Sequence, residues 1–168
     1  MCKIEQLLAT CERACLAGGK QLIEWQGKFS TQEKSAQDLV TDADIASQEA
    51  VRRVVEQEFP EHGFLGEEYP DLSQLEKPFC WVVDPLDGTT NYVHSYPLFG
   101  VSVAVAQEGK VVAGGVFDPT NNEMFLAGKG LGTTLNDKPF QTSKTTRMED
   151  GLVAVSFPPQ MTTDMPDI

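Results

Sequence analysis

The sequence predicts an α+β fold, a layered sandwich in which a helical pair packs on an antiparallel sheet. Three observations predict it. As far as Pro60, apolar side chains recur at helical spacing in two runs. Beyond Cys80 the period changes to alternation. Turn dipeptides such as Glu108-Gly109 and Asp118-Pro119 then separate successive short runs.

The first helix is expected from Ile4 to about Trp25, where Ile4, Leu7, Leu8, Cys11, Cys15, Leu22 and Ile23 fall near one face. Gly18-Gly19 weakens its middle by about 1 kcal/mol per glycine relative to alanine. Gly27 to Gln37 is polar and reads as a loop. A second helix is expected from Asp44 to Phe59, with Ile45, Val51, Val54 and Val55 on its apolar side and Pro60 as its stop. Cys80 to Val83 is a short strand of the buried type, ending at Asp84-Pro85. Phe99 to Ala106 alternates as a strand, Glu108-Gly109 turns, and Lys110 to Phe117 returns. Met124 to Ala127 and the glycine-spaced GKGLGTTLN add further short strands. Leu152 to Ser156 reads as the first strand of a further unit. The expected division is therefore a domain over 1–150 and the start of a truncated second half-domain over 151–168.

The totals narrow the chemistry. With 25 acidic against 13 basic residues, the net charge is −12. Such a surface repels nucleic-acid phosphates and anionic membranes, so neither is expected as a partner. A small anionic substrate meets the same repulsion and needs a local positive centre, which a bound divalent cation supplies. Cys2, Cys11, Cys15 and Cys80 form no CxxC pair, and His62 and His94 are the only histidines, which argues against a structural zinc. Reduced thiols in the cytoplasm are the expectation. No apolar run reaches membrane-spanning length.

The densest signal is Asp84-Pro85-Leu86-Asp87-Gly88-Thr89-Thr90-Asn91. A hydrophobic strand delivers one Asp to its end, and a second follows after three residues. Carboxylates that face one another across a turn raise each other's pKa. A hard divalent cation relieves that repulsion, and oxygen ligands suit Mg²⁺. N–H groups after Gly88 would cradle an anion if a helix opens there. The same residues also fit a plainer reading, since Asp-Pro and Asp-Gly commonly punctuate turns. Paired glutamates at Glu67-Glu68 are ordinarily a solvated face. Asp38, Asp42 and Asp44 are acids at a helix start, where one of them is expected to cap it. His94 is expected as a surface or packing residue, and Trp81 and Tyr92 in the core.

Together and in this order, DLVTDAD (38–44), GEE (66–68) and WVVDPLDGTTNYVHSYP (81–97) resemble the inositol monophosphatase family of lithium-sensitive, magnesium-dependent phosphatases. A looser match runs through GVFDP and GKG to about Phe140. The resemblance implies that Glu67, Asp84 and the Leu86 carbonyl hold a first Mg²⁺. Asp84 and Asp87 would hold a second, with Asp84 bridging, and Glu67 would contribute to a third, weaker site. Asp44 and Thr89 would orient and deprotonate the attacking water, with Glu67 also in the catalytic group. Asp87, Gly88 and Thr89 would face the phosphate, and Glu68 would play a supporting part. Lys34 lies near a family lysine, but its spacing to Asp38 differs by one residue.

The implied activity is hydrolysis of inositol monophosphate to myo-inositol and phosphate, by a cytoplasmic homodimer. Relatives acting on bisphosphorylated nucleotides tend to carry Lys where Thr90 stands, so a sugar-phosphate or nucleotide 3′-phosphatase is the alternative. A non-catalytic regulatory or binding fragment is the alternative of another class. The family's second half normally carries a Trp-Asp pair whose acid completes the second metal site. Here the tryptophans are Trp25 and Trp81, neither followed by Asp, so a missing C-terminal half-domain is the expectation.

Overall fold

The computed structural model describes residues 3–28, 31–35 and 38–154. Helix α1 spans Ile4–Trp25, as its periodicity predicts. Its face Leu7, Cys11, Ala14, Cys15 and Leu22 is fully buried. Truncating one of these, Leu22 for instance, costs about 2–5 kcal/mol. Gly18 and Gly19 weaken the helix locally but let it approach its neighbours. A Cβ on Gly18 would lie 2.8 Å from the Ser47 hydroxyl, and one on Gly19 2.5 Å from the Phe117 ring.

The expected loop at 27–37 is different. Thr31–Ser35 forms β1, which pairs antiparallel with β2, Asp38–Thr41. Its residues carry no apolar alternation, so periodicity gave no sign of it; backbone pairing with β2 makes the ribbon. The backbone of Lys34 lies in β1.

Helix α2 spans Asp42–Glu58 and so begins two residues before the expected start at Asp44. Its N-cap is Thr41 rather than one of the acids. The Thr41 hydroxyl accepts from the N–H groups of Ala43 and Asp44, and Asp44 accepts in return from the Thr41 N–H at 2.8 Å. This reciprocal box satisfies first-turn donors that a helix start leaves open.

The second sheet has seven strands in chain order. They are β3 (Gly63–Gly66), β4 (Phe79–Asp87), β5 (Gly100–Gln107), β6 (Lys110–Asp118), β7 (Glu123–Gly128), β8 (Gly132–Leu135) and β9 (Lys138–Pro139). From β4 onward every pair is antiparallel, which is the expected meander. β3 was not expected as a strand, and it pairs parallel with β4. The sheet is therefore mixed, still in an α+β sandwich.

On β5, Val101, Val103 and Val105 are buried beneath the helices, while Ser102, Ala104 and Ala106 face the other side. Cys15 crosses from α1 to the sheet, where its single thiol proton has the Gly115 carbonyl at 3.4 Å and the Val101 carbonyl at 3.8 Å as acceptors. Over the opposite face lies a groove of about 490 Å³, lined by Ala104, Gly114, Val116, Phe125 and Phe140 among others.

Trp81 and Tyr92 are core residues, and His94 is exposed. Leu152 to Ala154 form no strand, against expectation, and Leu152 is exposed. The rest of that expected strand, Val155 and Ser156, lies outside the described residues, as does the remainder of the chain to Ile168. No described helix is long and apolar enough to cross a membrane.

Candidate functional site

The parallel pair β3–β4 assembles the acids. Its register sets Gly66 opposite Val83, so Glu67 and Asp84 are the next residues on two neighbouring strands that run the same way. The Glu67 N–H donates to the Val83 carbonyl at 3.0 Å and keeps this register to the strand end. Two residues far apart in sequence thereby emerge side by side, at the carboxyl ends of parallel strands, where open α/β sheets also place their sites.

β4 does not stop at Asp84-Pro85. It continues to Asp87 through a bulge, because Asp84 pairs with Ser102 while Asp87 pairs with Gly100. Three steps on β4 thus oppose two on β5, and the extra residue accommodates Pro85, which has no N–H to give the ladder. The Leu86 N–H turns back to Asp84 Oδ1 at 3.1 Å. The chain then enters α3, Thr89–Val93, through Gly88, whose φ of +91° is left-handed. A Cβ there would lie 3.0 Å from the Leu98 carbonyl oxygen, so the position suits glycine alone.

Electrostatics mark Asp84. Burial pushes its pKa up to about 7, helped by the Glu67 charge, by a hydrogen bond to Glu67 and by the Asp87 charge, against the Leu86 N–H. Glu67 and Asp87 are exposed, and Glu68 is buried.

A second acid stands on α2. Asp44 is buried, and its Oδ2 accepts from the Thr41 hydroxyl at 2.5 Å as well as from the Thr41 N–H. Its Oδ1 lies 3.4 Å from the Thr89 hydroxyl, which is also 3.1 Å from the Leu86 carbonyl. A hydroxyl has one proton and two acceptor lone pairs, so Thr89 can donate to either oxygen while accepting from a third group. The burial of Tyr92, together with the nearby Asp44 charge, pushes its phenol up to about 12.

The structure thus links Glu67, Asp84, Leu86, Thr89 and Asp44 by successive contacts, with Asp87 within electrostatic reach of Asp84. Among the described residues, no three His, Cys, Asp or Glu side chains stand in ready-made metal-ligand geometry. The donor chemistry nevertheless fits a hard divalent cation: carboxylate and carbonyl oxygens only, with burial first and the neighbouring acids second holding Asp84 far above its usual range. The large groove over β5–β8 contains none of these residues.

Ser47 and Gln48 are site neighbours that the sequence reading missed. Ser47 Oγ donates to the Pro85 carbonyl at 2.8 Å. Gln48 Nε2 donates to the Glu68 carbonyl at 2.8 Å, and the Glu68 N–H donates to Gln48 Oε1 at 2.9 Å. The available signal was polarity at three and four residues after Asp44, on the helix face that also carries Val51 and Val55.

The sequence pattern of the Inositol monophosphatase family matches residues 4–168. The "Inositol-1-monophosphatase" of Synechocystis sp. is 38% identical over 156 residues, covering 92% of this chain and 54% of the relative. The "Nus factor SuhB" of Pasteurella multocida is 36% identical, covering 85% of this chain and 54% of the relative. The crystal structure of extragenic suppressor protein suhB from Bartonella henselae superposes with a TM-score of 0.81 at 32% identity, covering 85% of this chain and 57% of that one. The chain spans about half the length of the curated relatives it matches. It belongs to the inositol monophosphatase family.

Proposed function

We propose that this chain carries the acid centre of a magnesium-dependent phosphomonoesterase acting on inositol monophosphates. The observation that carries the reading is the meeting of Glu67 and Asp84 at the ends of two parallel strands, beside the Asp44–Thr89 pair. Glu67, Asp84 and the Leu86 carbonyl would hold a first Mg²⁺, and Asp84 and Asp87 would contribute to a second. Bound magnesium supplies positive charge at the phosphoryl oxygens and lowers the pKa of the attacking water. Thr89 accepts a hydrogen bond from that water and passes its own proton toward Asp44 Oδ1. Asp44 keeps its position through the two bonds from Thr41. Gly88 and Thr89 turn backbone N–H groups to the phosphate, with Asp87 beside them. Glu68 supports the segment from its buried backbone. The Synechocystis relative and Thr90, in place of a lysine, support inositol monophosphate as the substrate. A cytoplasmic homodimer is the assembly the family resemblance implies.

The test is phosphate release from inositol 1-phosphate, a sugar phosphate and a nucleoside 3′-phosphate, with and without magnesium, for the 168-residue chain and for any longer form. Magnesium-dependent release favouring inositol 1-phosphate supports the reading. Release that is indifferent to magnesium, or that prefers the nucleotide, overturns it. The Pasteurella multocida relative favours a second reading, a Nus-factor role. Asp84→Asn separates the two, because it stops phosphate release and leaves a role without turnover intact.

A further inference from the structure

We infer that Ser47 and Gln48 are positioning residues that hold the two strand-end segments of the acid centre in place from one turn of α2. The inference rests on the proposed reading of Glu67 and Asp84 as ligands to a divalent cation. It goes beyond that reading by assigning two residues that touch neither cation nor substrate.

Asp44, Ser47 and Gln48 stand at i, i+3 and i+4, so they share one helix face. Each reaches a different part of the centre. Asp44 meets Thr89 on α3. Ser47 binds the Pro85 carbonyl, within the bulge that separates Asp84 from Asp87. Gln48 binds both backbone groups of Glu68, one residue beyond Glu67. Its side-chain amide accepts one bond and donates the other, as a neighbouring strand would. Among the described residues β3 is an edge strand paired with β4 alone, and Gln48 bonds the backbone just past its last paired residue.

Burial sharpens the effect. Ser47 and Gln48 are 0% and 3% exposed, so water cannot replace a lost partner without opening the structure. The surrounding backbone also makes room for them. A Cβ on Gly66 would lie 2.0 Å from Gln48 Oε1. Simple core filling needs neither the paired amide bonds nor that vacant Cβ. A rigid helix turn that fixes both carboxylate-bearing segments sets their spacing before any cation arrives. Partners of this kind behind metal ligands typically govern affinity by about 10–100-fold.

The experiment uses the whole 168-residue chain, stripped with EDTA and titrated calorimetrically with MgCl₂. The variants are Gln48→Leu, Ser47→Ala, Gly66→Ala, the double variant Gly66→Ala/Gln48→Ala, and Leu126→Ala as a core control remote from the centre. Gln48→Leu and Ser47→Ala are expected to weaken magnesium binding by about 10–100-fold. Amide exchange in EDTA should quicken at 66–69 for Gln48→Leu and at 86–88 for Ser47→Ala. Gly66→Ala should reproduce the Gln48 loss, and the double variant should be no weaker than Gly66→Ala alone, because both act through one contact. Leu126→Ala should lower the melting temperature and leave magnesium affinity unchanged. Ser47→Ala removes a single hydroxyl and decides the matter if Gln48→Leu does not fold. Binding by both variants within about threefold of wild type overturns the positioning role. So does an equal loss in Leu126→Ala. If wild type takes no magnesium, the functional reading falls first and this one with it; if wild type binds and the variants match it, only the positioning role falls.

Discussion

Replacing Asp84 by Asn tests the electrostatics of the centre without any turnover. In the fold, the Asp84 carboxyl is pushed from its ordinary 3.8 to about 7, by burial first and then by Glu67 and Asp87. The sign follows from linkage. Below pH 3.8 the group is protonated in both folded and unfolded chains and costs nothing. Between 3.8 and about 7 the unfolded chain ionises while the fold holds its proton, so stability falls as pH rises. Above that range the full penalty remains. A gap of about three decades in proton affinity sets a ceiling of about 4 kcal/mol, at 1.36 kcal/mol per decade. Asp84 is half-buried, so solvent screening reduces this to about 1–2 kcal/mol. Asn keeps an acceptor for the Leu86 N–H and gains a donor for Glu67, while losing the charge. In EDTA, urea denaturation should therefore show Asp84→Asn more stable than wild type by about 1–2 kcal/mol at pH 8, and by less than half of that at pH 5. Added magnesium should stabilise wild type and not the variant. A variant less stable than wild type at pH 8, or equally stabilised at both pH values, would falsify the account of a carboxyl penalised by burial and by its acidic neighbours.

Thr89→Ala should lower kcat by about 10²–10⁴ while changing magnesium affinity little, because its work lies in proton handling; a loss confined to affinity would make Thr89 a ligand support. Tyr92→Phe removes the phenol bond to the Leu22 carbonyl, 2.6 Å long and buried, and should cost about 1–2 kcal/mol in denaturant titration. His62 stacks between Phe59 and Phe79 at 4.6 and 4.7 Å and accepts the Trp81 indole N–H at 3.1 Å. His62→Phe keeps the stacks, strands a buried donor and should cost about 1–3 kcal/mol, with unchanged stability counting against the bond. Burial pushes the Cys11 thiol up to about 12 and Cys15 higher still, so neither should react with iodoacetamide at pH 8 until the chain unfolds, as peptide mapping would show.

Local patterns were legible wherever a single segment decides its own state. The limits of α1 and the β5–β6 hairpin follow from apolar period and turn residues. β1 and β3 were not legible, since each exists by pairing with a partner whose register neither segment encodes alone. The run Asp84 to Thr89 announced itself as one motif. What brings Glu67 beside it is the parallel register of β3 and β4, and what brings Asp44 to Thr89 is the docking of α2. Ser47 and Gln48 escaped notice because a helical Ser or Gln is ordinarily solvated. Only their tertiary neighbours turn them into buried partners. Pro85 misled for a related reason: it normally ends a strand, and here a bulge absorbs it.

The contact between Cys15 and Gly115 spans 100 residues of chain. Synthesis at about 5–20 residues per second means that α1 leaves the ribosome about 5–20 s before the strand it rests on. For most of that interval Leu7, Cys11 and Leu22 have α2 rather than the sheet to shelter against, and α2 itself emerges only partway through the wait. The nascent chain therefore carries a sticky helix without its sheet, and its yield should depend on elongation rate and on chaperones that cover such a helix.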